Sequence, residues 1–230
     1  MYKRIAIAVL VLGMSACAAP RPRAPQSPIQ PSLSLQALPP PGTYEIDSRN
    51  SELRILVYRA GPMASLGHNH VMVNRAMTGF VQIGNDIAES SFSLSVPVED
   101  FEVDEPKARL EEGSDFLGDI PEDARSGTRR NMLSAAMLNA AEFPLITVTG
   151  VTLTGTPSAL SADLAISVAG HSAGISAPCT LQGDAHQLTA TGSMELRQTA
   201  IGLTPYSLLH GALQVQDVMR LKFSISVPIS

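Results

Sequence analysis

The strict alternation of apolar and polar residues in two long runs constrains the fold of this chain more than any other feature. Apolar side chains stand at every second position of residues 92–98 and again of residues 219–227. Successive side chains of an extended strand point to opposite faces, so such a run has one apolar and one polar face. The sequence therefore predicts antiparallel strands whose apolar faces meet around a common interior.

Weaker forms of the same pattern recur along the chain. They are found at residues 53–57, 164–168 and 194–196, with short strand-like runs at 44–46, 79–83, 145–149 and 178–182. With turn residues between them, these segments make about eight or nine short strands, which is typical of an antiparallel barrel or sandwich. We expect an all-β domain.

Residues 104–144 depart from the alternation and carry helical signals. Asp119 can cap a helix, and Pro144 would end it. An apolar stripe at helical spacing lies between them, formed by Met132, Leu133, Ala136, Met137 and Ala140. The segment predicts one or two helices inserted between strands.

The N-terminal residues 1–16 have the pattern of a bacterial export signal. Lys3 and Arg4 precede an apolar run at 5–12 that is too short to span a membrane as a helix. The following Met14-Ser15-Ala16-Cys17 resembles a lipobox, which makes Cys17 the expected acylated residue of a periplasmic lipoprotein. Ala18 after it favours the outer membrane, and cleavage after Ala16 to release a secreted protein is the alternative.

Residues 17–41 follow the signal segment and contain eight of the chain's 17 prolines between positions 18 and 41. Proline-rich segments prefer extended polyproline geometry and act as spacers. We expect this segment to be a tether that joins a lipid anchor in the membrane to a folded domain at residues 42–230.

Charge and composition argue against nucleic acid as a partner. All 21 acidic residues follow Pro41, whereas four of the 16 basic residues precede it, which leaves the domain with 12 basic residues and a net charge of −9. Phosphate binding requires a clustered basic surface. Aromatic residues make up 4% of the chain and Trp is absent, so the stacking platforms used by single-strand binders are not expected either.

The segment Gly67-His68-Asn69-His70 is the strongest candidate for a polar site. Two histidines at positions i and i+2 of a strand point to the same face and could bind one metal ion. A catalytic zinc site usually has three protein ligands, and His210 is the best third candidate. The alternative is that the pair forms a polar contact at the rim of an apolar cavity.

Eleven of the 21 acidic residues lie between positions 99 and 123. No calcium-loop spacing is present, so a solvated acidic surface is the simplest interpretation. A further alternative is an adaptor that binds a basic partner through Glu111, Glu112 and Asp115.

Two further observations argue for binding rather than catalysis. The chain contains no Ser-x-x-Lys pair, no glycine-rich phosphate loop and no His-Glu-x-x-His. Its only cysteines are Cys17 and Cys179, and acylation of the first would leave the second as a lone thiol of the kind usually buried as a small apolar group.

Three segments in order resemble the YceI-like polyisoprenoid-binding family. They are Gly42-Thr43-Tyr44-Glu45-Ile46-Asp47, the segment 131–147 with its Glu142-Phe143-Pro144, and Glu195-Leu196-Arg197-Gln198-Thr199-Ala200-Ile201-Gly202. The resemblance covers nearly all of residues 42–230. It implies a lipocalin-like antiparallel β-barrel of about eight strands, with helices over one side, that binds a long isoprenoid or lipid tail without catalysis or cofactor.

The resemblance, together with the alternation, predicts the residues of a ligand channel. Its apolar wall would be Ile55, Val57, Phe80, Leu94, Ile146, Val148, Leu164, Ile166, Met194, Leu196, Leu221 and Phe223, with His68, Asn69, His70 or Arg197 at a polar end. Eight strands enclose either a core filled by side chains or room for one slim ligand. The sequence leaves these two interiors, and the oligomeric state, open.

Overall fold

Twelve strands form one antiparallel sheet in the computed structural model, which describes residue 35, residues 37–184 and residues 186–229. The expected signal segment, Cys17 and most of the expected tether lie outside the described residues. Among the described helices, none has the length and apolar character that a membrane crossing requires.

The elements follow one another with short connections. The strands are β1 Gly42–Glu45, β2 Glu52–Ala60, β3 His70–Asn74, β4 Thr78–Ile83, β5 Ser91–Pro97, β6 Glu102–Val103, β7 Leu145–Thr156, β8 Ala159–Val168, β9 His171–Gly183, β10 Gln187–Arg197, β11 Ser207–Leu208 and β12 Leu213–Pro228. The helices are α1 Pro106–Glu111 and α2 Glu122–Leu133. The order in the sheet is β1-β4-β5-β7-β8-β9-β10-β12-β2-β3-β6, with β11 beside β12.

The predicted fold class is confirmed, and the strand count is higher than the expected eight or nine. The additional strands are β6 and β11, which have two residues each, and β3. β3 lacks alternation because Val71, Met72 and Val73 are all buried. A strand that is covered on both faces has no polar side, so periodicity does not reveal it.

Helix α1 and the turn after it cover the outer face of β2 and β3. Leu56 and Val71, on that face, pack with Ala108 of α1 and with Phe116, and all four are at most 1% exposed. The ring of Tyr58 meets Phe116 edge-on at 5.5 Å between centroids. The opposite face of β2 therefore borders the interior around which the sheet curls.

The inserted segment contains two helices, as predicted, but the second ends earlier than expected. α2 ends at Leu133, and Pro121 rather than Asp119 precedes its first residue. Beyond Leu133 the chain folds back, with the Leu138 amide donating to the Met132 carbonyl and the Ala140 amide to the Leu133 carbonyl. The fold-back buries Met132 and Ala140 of the apolar stripe without a continuous helix, whereas Ala136 remains exposed, because hydrophobic burial requires contact with the core but not helical geometry.

Candidate functional site

The sheet curls around a cavity of about 370 Å³ that is lined almost entirely by apolar side chains. They come from β2, β3, β4, β5, β7, β8, β9, β10 and β12, and α2 adds Met132. The volume lies within the roughly 300–1,000 Å³ range of ligand pockets. The interior is hollow, which is the alternative that the sequence left open.

In β2 the inward-facing residues are more accessible than the outward-facing ones, which is the reverse of what a filled core would show. Leu56 on the outer face of β2 is 1% exposed beneath α1, whereas its inward neighbours Ile55 and Val57 remain partly accessible. Large aliphatic side chains usually pack without voids in a filled core. Here the inward residues keep accessible surface because they border the cavity.

The structure brings eleven of the twelve predicted apolar residues together around the cavity. They are Ile55, Val57, Leu94, Ile146, Val148, Leu164, Ile166, Met194, Leu196, Leu221 and Phe223. Phe80 lies outside this set and is 54% exposed. Its neighbours Val81 and Ile83 line the cavity, and adjacent side chains of a strand point to opposite faces.

Several lining residues were missed from the sequence. Phe92 stands at the start of the clearest alternating run, so its phase could have revealed it. Met72 lies in β3, which has no alternation, and Met77 and Phe101 lie in connections. For these three the sequence holds no periodic signal.

One end of the cavity is covered by residues that precede the expected domain boundary at residue 42. Leu35 and Leu38 pack with Ile46, Leu188 and Val227, and Leu38 lines the cavity. The last residues of the expected tether are therefore part of the folded structure.

His70 is the predicted polar residue that lines the cavity, and a buried carboxylate holds its ring. Its Nδ1 lies 2.7 Å from Oδ2 of Asp104. Oδ1 of Asp104 accepts hydrogen bonds from the Val71 amide at 2.9 Å and from Nη1 of Arg109 at 2.6 Å. The side chains of Asp104 and Arg109 are 0% and 6% exposed.

The three hydrogen bonds keep Asp104 ionised. Burial alone would raise the pKa of this carboxyl, but the bonds from His70, Val71 and Arg109 outweigh it and lower the pKa below its usual value. With a carboxylate at Nδ1, the neutral imidazole carries its proton there, and Nε2 is the acceptor. Nε2 can therefore accept a hydrogen bond from a polar group bound beside His70.

The other predicted polar residues are placed elsewhere. His68 is exposed, with its ring centroid 6.3 Å from that of His70, and burial of its partly covered ring lowers its pKa. Asn69 accepts from the Arg59 amide and donates to the Asp115 carbonyl. The Arg197 side chain is 68% exposed and lies 3.7 Å from Asp217.

The metal-site alternative has no assembled ligand set. His210 lies in the turn Leu209–Gly211. Across the part of the chain that the structure describes, no three His, Cys, Asp or Glu side chains are grouped as metal ligands.

Two of the three acidic residues of the adaptor alternative are used within the fold. Glu111 and Glu112 lie 2.9 and 2.8 Å from the guanidinium of Arg54, and Lys222 contacts Glu112 at 2.5 Å. Burial alone would raise the pKa of Glu112, but hydrogen bonds from Lys222 and Arg54 lower it. These pairs connect α1 to the outer face of β2 and β12, and Asp115 remains exposed.

The chain also contains a Gly-x-Ser-x-Gly pattern of the kind found in hydrolases, Gly170-His171-Ser172-Ala173-Gly174, which the sequence analysis overlooked. A nucleophile elbow requires a sharp turn from a strand into a helix. Here the pattern crosses the hairpin between β8 and β9, where Val168 pairs with His171, and Ser172 is exposed on β9. No hydrogen bond joins the Ser172 hydroxyl to a histidine within the described residues, so the motif lacks its catalytic context.

Comparison with known proteins gives one family and one fold. The family model described as YceI-like domain matches residues 44–227. Among proteins whose functions have been curated, none matches the sequence.

Three solved structures illustrate the similarity in fold. BcnA of Burkholderia cenocepacia has a TM-score of 0.58 at 12% identity, covering 79% of this chain and 98% of its own. A polyisoprenoid binding domain from Saccharophagus degradans has a TM-score of 0.54 at 12% identity, covering 81% and 98%. The YCEI protein of Campylobacter jejuni has a TM-score of 0.50 at 9% identity, covering 69% and 84%.

Proposed function

Because this chain belongs to the family of YceI-like domains, we propose that it binds a polyisoprenoid or similar long apolar tail in its cavity. The observation that carries the proposal is the hollow interior of about 370 Å³ with an almost wholly apolar lining. The Saccharophagus degradans domain of the same fold, which is described as polyisoprenoid binding, supports the ligand class.

The energetics favour a long ligand over a short one. Each buried methylene contributes about 0.8 kcal/mol. Association costs at least about 4 kcal/mol, and micromolar affinity requires about 8 kcal/mol net. About fifteen buried methylene equivalents are therefore needed, or roughly three isoprene units.

We infer that His70 receives the polar end of the ligand. It lines the cavity, and its ring is held by Asp104 through Nδ1, so Nε2 is oriented by a buried partner. A hydroxyl or a protonated headgroup oxygen could donate to this nitrogen. The ligand would be held without being chemically changed.

The proposed place of action is the bacterial cell envelope. The lipobox-like Met14-Ser15-Ala16-Cys17 and the proline-rich segment behind it support an acylated protein tethered to the outer membrane and extending into the periplasm.

Native mass spectrometry of the full chain, purified from a bacterial host and then offered a polyprenyl alcohol, tests the binding proposal. We expect a one-to-one complex that Ala190→Phe weakens, because Ala190 lines the cavity and the added ring would occupy it. The matched control is Ala165→Phe, which adds the same ring at an exposed position of β8. Absence of any lipid-bound species, or equal binding by both variants, would contradict the proposal.

A further inference from the structure

Three exposed leucines lie on two connecting segments that touch each other at one end of the sheet. They are called here the first loop, residues 60–70, and the second loop, residues 198–216, which includes the short strand β11. Leu66 is 67% exposed and lies between β2 and β3, while Leu208 and Leu209 are 44% and 65% exposed and lie just before β12. The amide of Met63 in the first loop donates to the Ala212 carbonyl in the second at 2.8 Å. Clustered exposed apolar side chains of this kind mark interaction surfaces.

The second loop holds its leucine outward at a conformational cost. Leu209 and His210 have φ values of 50° and 55°, which is the left-handed region that residues with a Cβ rarely adopt. Two such residues in succession are unfavourable in isolation, and strain of this kind is found where an exposed feature has a use.

These two loops lack the acidic residues that give the domain as a whole its net negative charge. No Asp or Glu occurs in residues 60–70 or 198–216, although the domain carries 21 acidic residues. Arg59 is exposed and donates to the Gly67 carbonyl at 2.7 Å, and no carboxylate lies within 4.0 Å of it among the residues described. An anionic surface would therefore meet less repulsion at these two segments than at the acidic segment 99–123.

The loops also border the cavity. Tyr206 in the second loop and Val215 at the start of β12 line it, and so does His70 at the end of the first loop. A ligand that left the cavity beneath these loops would emerge beside the exposed leucines.

We propose that Leu66, Leu208, Leu209 and Arg59, here called the loop surface, dock onto an anionic lipid bilayer so that a tail can pass between membrane and cavity. Leucines would enter the acyl boundary while the guanidinium meets lipid phosphates. This inference rests on the proposed lipid-binding function and names the surface through which it operates.

The absence of Trp from the chain allows a direct test with single-Trp reporters. We expect Leu209→Trp and Leu66→Trp, each in the full chain, to shift to the blue and to be quenched by vesicles of phosphatidylcholine with one brominated phosphatidylglycerol in three lipids. The matched control is Val151→Trp, because Val151 is 67% exposed on β7, which three strands separate from β12. A chain that floats with the vesicles while all three reporters respond alike would overturn the proposal.

A second measurement separates docking from ligand binding. In the double variant Leu66→Ser and Leu209→Ser, polyprenol uptake in solution should be unchanged, because neither residue lines the cavity. The rate of polyprenol transfer from anionic vesicles should fall at least tenfold, and Arg59→Gln should reduce the preference for anionic over phosphatidylcholine vesicles. Unchanged transfer by the double variant would overturn docking alone, whereas no uptake by any form of the protein would overturn the binding function.

Discussion

The ring of Phe92 occupies the space beside Gly150 in which a side chain would otherwise stand. The two residues are cross-strand partners on β5 and β7, and a Cβ added to Gly150 would lie 2.7 Å from Cδ1 of the ring. Phe223 covers Gly192 between β12 and β10 in the same way. Both rings line the cavity, so the two glycines let aromatic side chains pack against the sheet wall and leave the middle open.

Substitution of Gly150 by Ala should therefore narrow the cavity. The added methyl must push the Phe92 ring inward, which costs about 1–3 kcal/mol of folding stability and removes room for about two methylenes, or roughly tenfold in affinity for a polyprenyl alcohol. Titration of the variant by intrinsic or ligand fluorescence measures this. Gly174→Ala is the control, since its Cβ would meet only the Leu164 carbonyl oxygen at 3.9 Å, and an equal loss in that variant would contradict the account.

Asp104→Asn should be strongly destabilising above pH 5 and much less so in acid. The variant leaves the buried Arg109 without its countercharge, a loss of about 3–5 kcal/mol in the free energy of unfolding. The pKa of Asp104 is lowered in the folded protein, so its contribution is complete above the usual carboxyl pKa and is lost as the pH falls through the lowered value. Urea unfolding at pH 7 and near pH 3 tests this, with the exposed Asp100→Asn as control. A difference that stays constant with pH would refute it.

Leu38→Ala should speed the release of bound lipid more than it lowers stability. Leu38 lines the cavity and packs with Ile83 and Val227, but it is only partly buried, so its truncation should cost about 1 kcal/mol. Stopped-flow displacement of a fluorescent fatty acid measures the release rate. If the rate matches that of Ala37→Gly, at the exposed neighbouring position, the segment does not cover the cavity.

Cys179 should report on occupancy of the cavity. Burial raises the pKa of this thiol, and the side chain lines the cavity, so little thiolate is present at neutral pH and reaction with iodoacetamide should be slow. Raising the pH should accelerate alkylation, and bound polyprenol should protect the thiol. Peptide mass spectrometry in a Cys17→Ser background gives the rates, and protection that is absent at saturating ligand would argue against binding at this place.

Cys17 should be the site of acylation. Cys17→Ser is expected to abolish incorporation of labelled palmitate and to move the protein from the membrane to the soluble fraction of a bacterial host. Cys179→Ser should leave both unchanged. Palmitate incorporation that persists in Cys17→Ser would contradict the proposed anchor.

The sequence analysis identified the strands that line the cavity correctly where apolar and polar residues alternate strictly. It was wrong where the apolar residues fit either face of the strand. Residues 92–97 of the first run lie within β5, and residues 219–227 lie within β12. In β4 the run Gly79-Phe80-Val81-Gln82-Ile83 has apolar residues on both faces of the strand. Within this run only the polar Gln82, which points outward, indicates that Phe80, two positions before it, also points outward. The length of α2 was misjudged for a similar reason, since apolar spacing after Leu133 fits a buried turn as well as a helix.

Local periodicity by itself determined that this chain forms an antiparallel sheet with one apolar face, because the direction of each side chain along a strand depends only on its neighbours. Whether that face encloses a cavity depends on the volumes that meet when distant strands curl together, such as the ring of Phe92 beside Gly150. The position of His70 depends likewise on Asp104, 34 residues away along the chain. Such contacts between residues far apart in sequence were decided only by the tertiary structure.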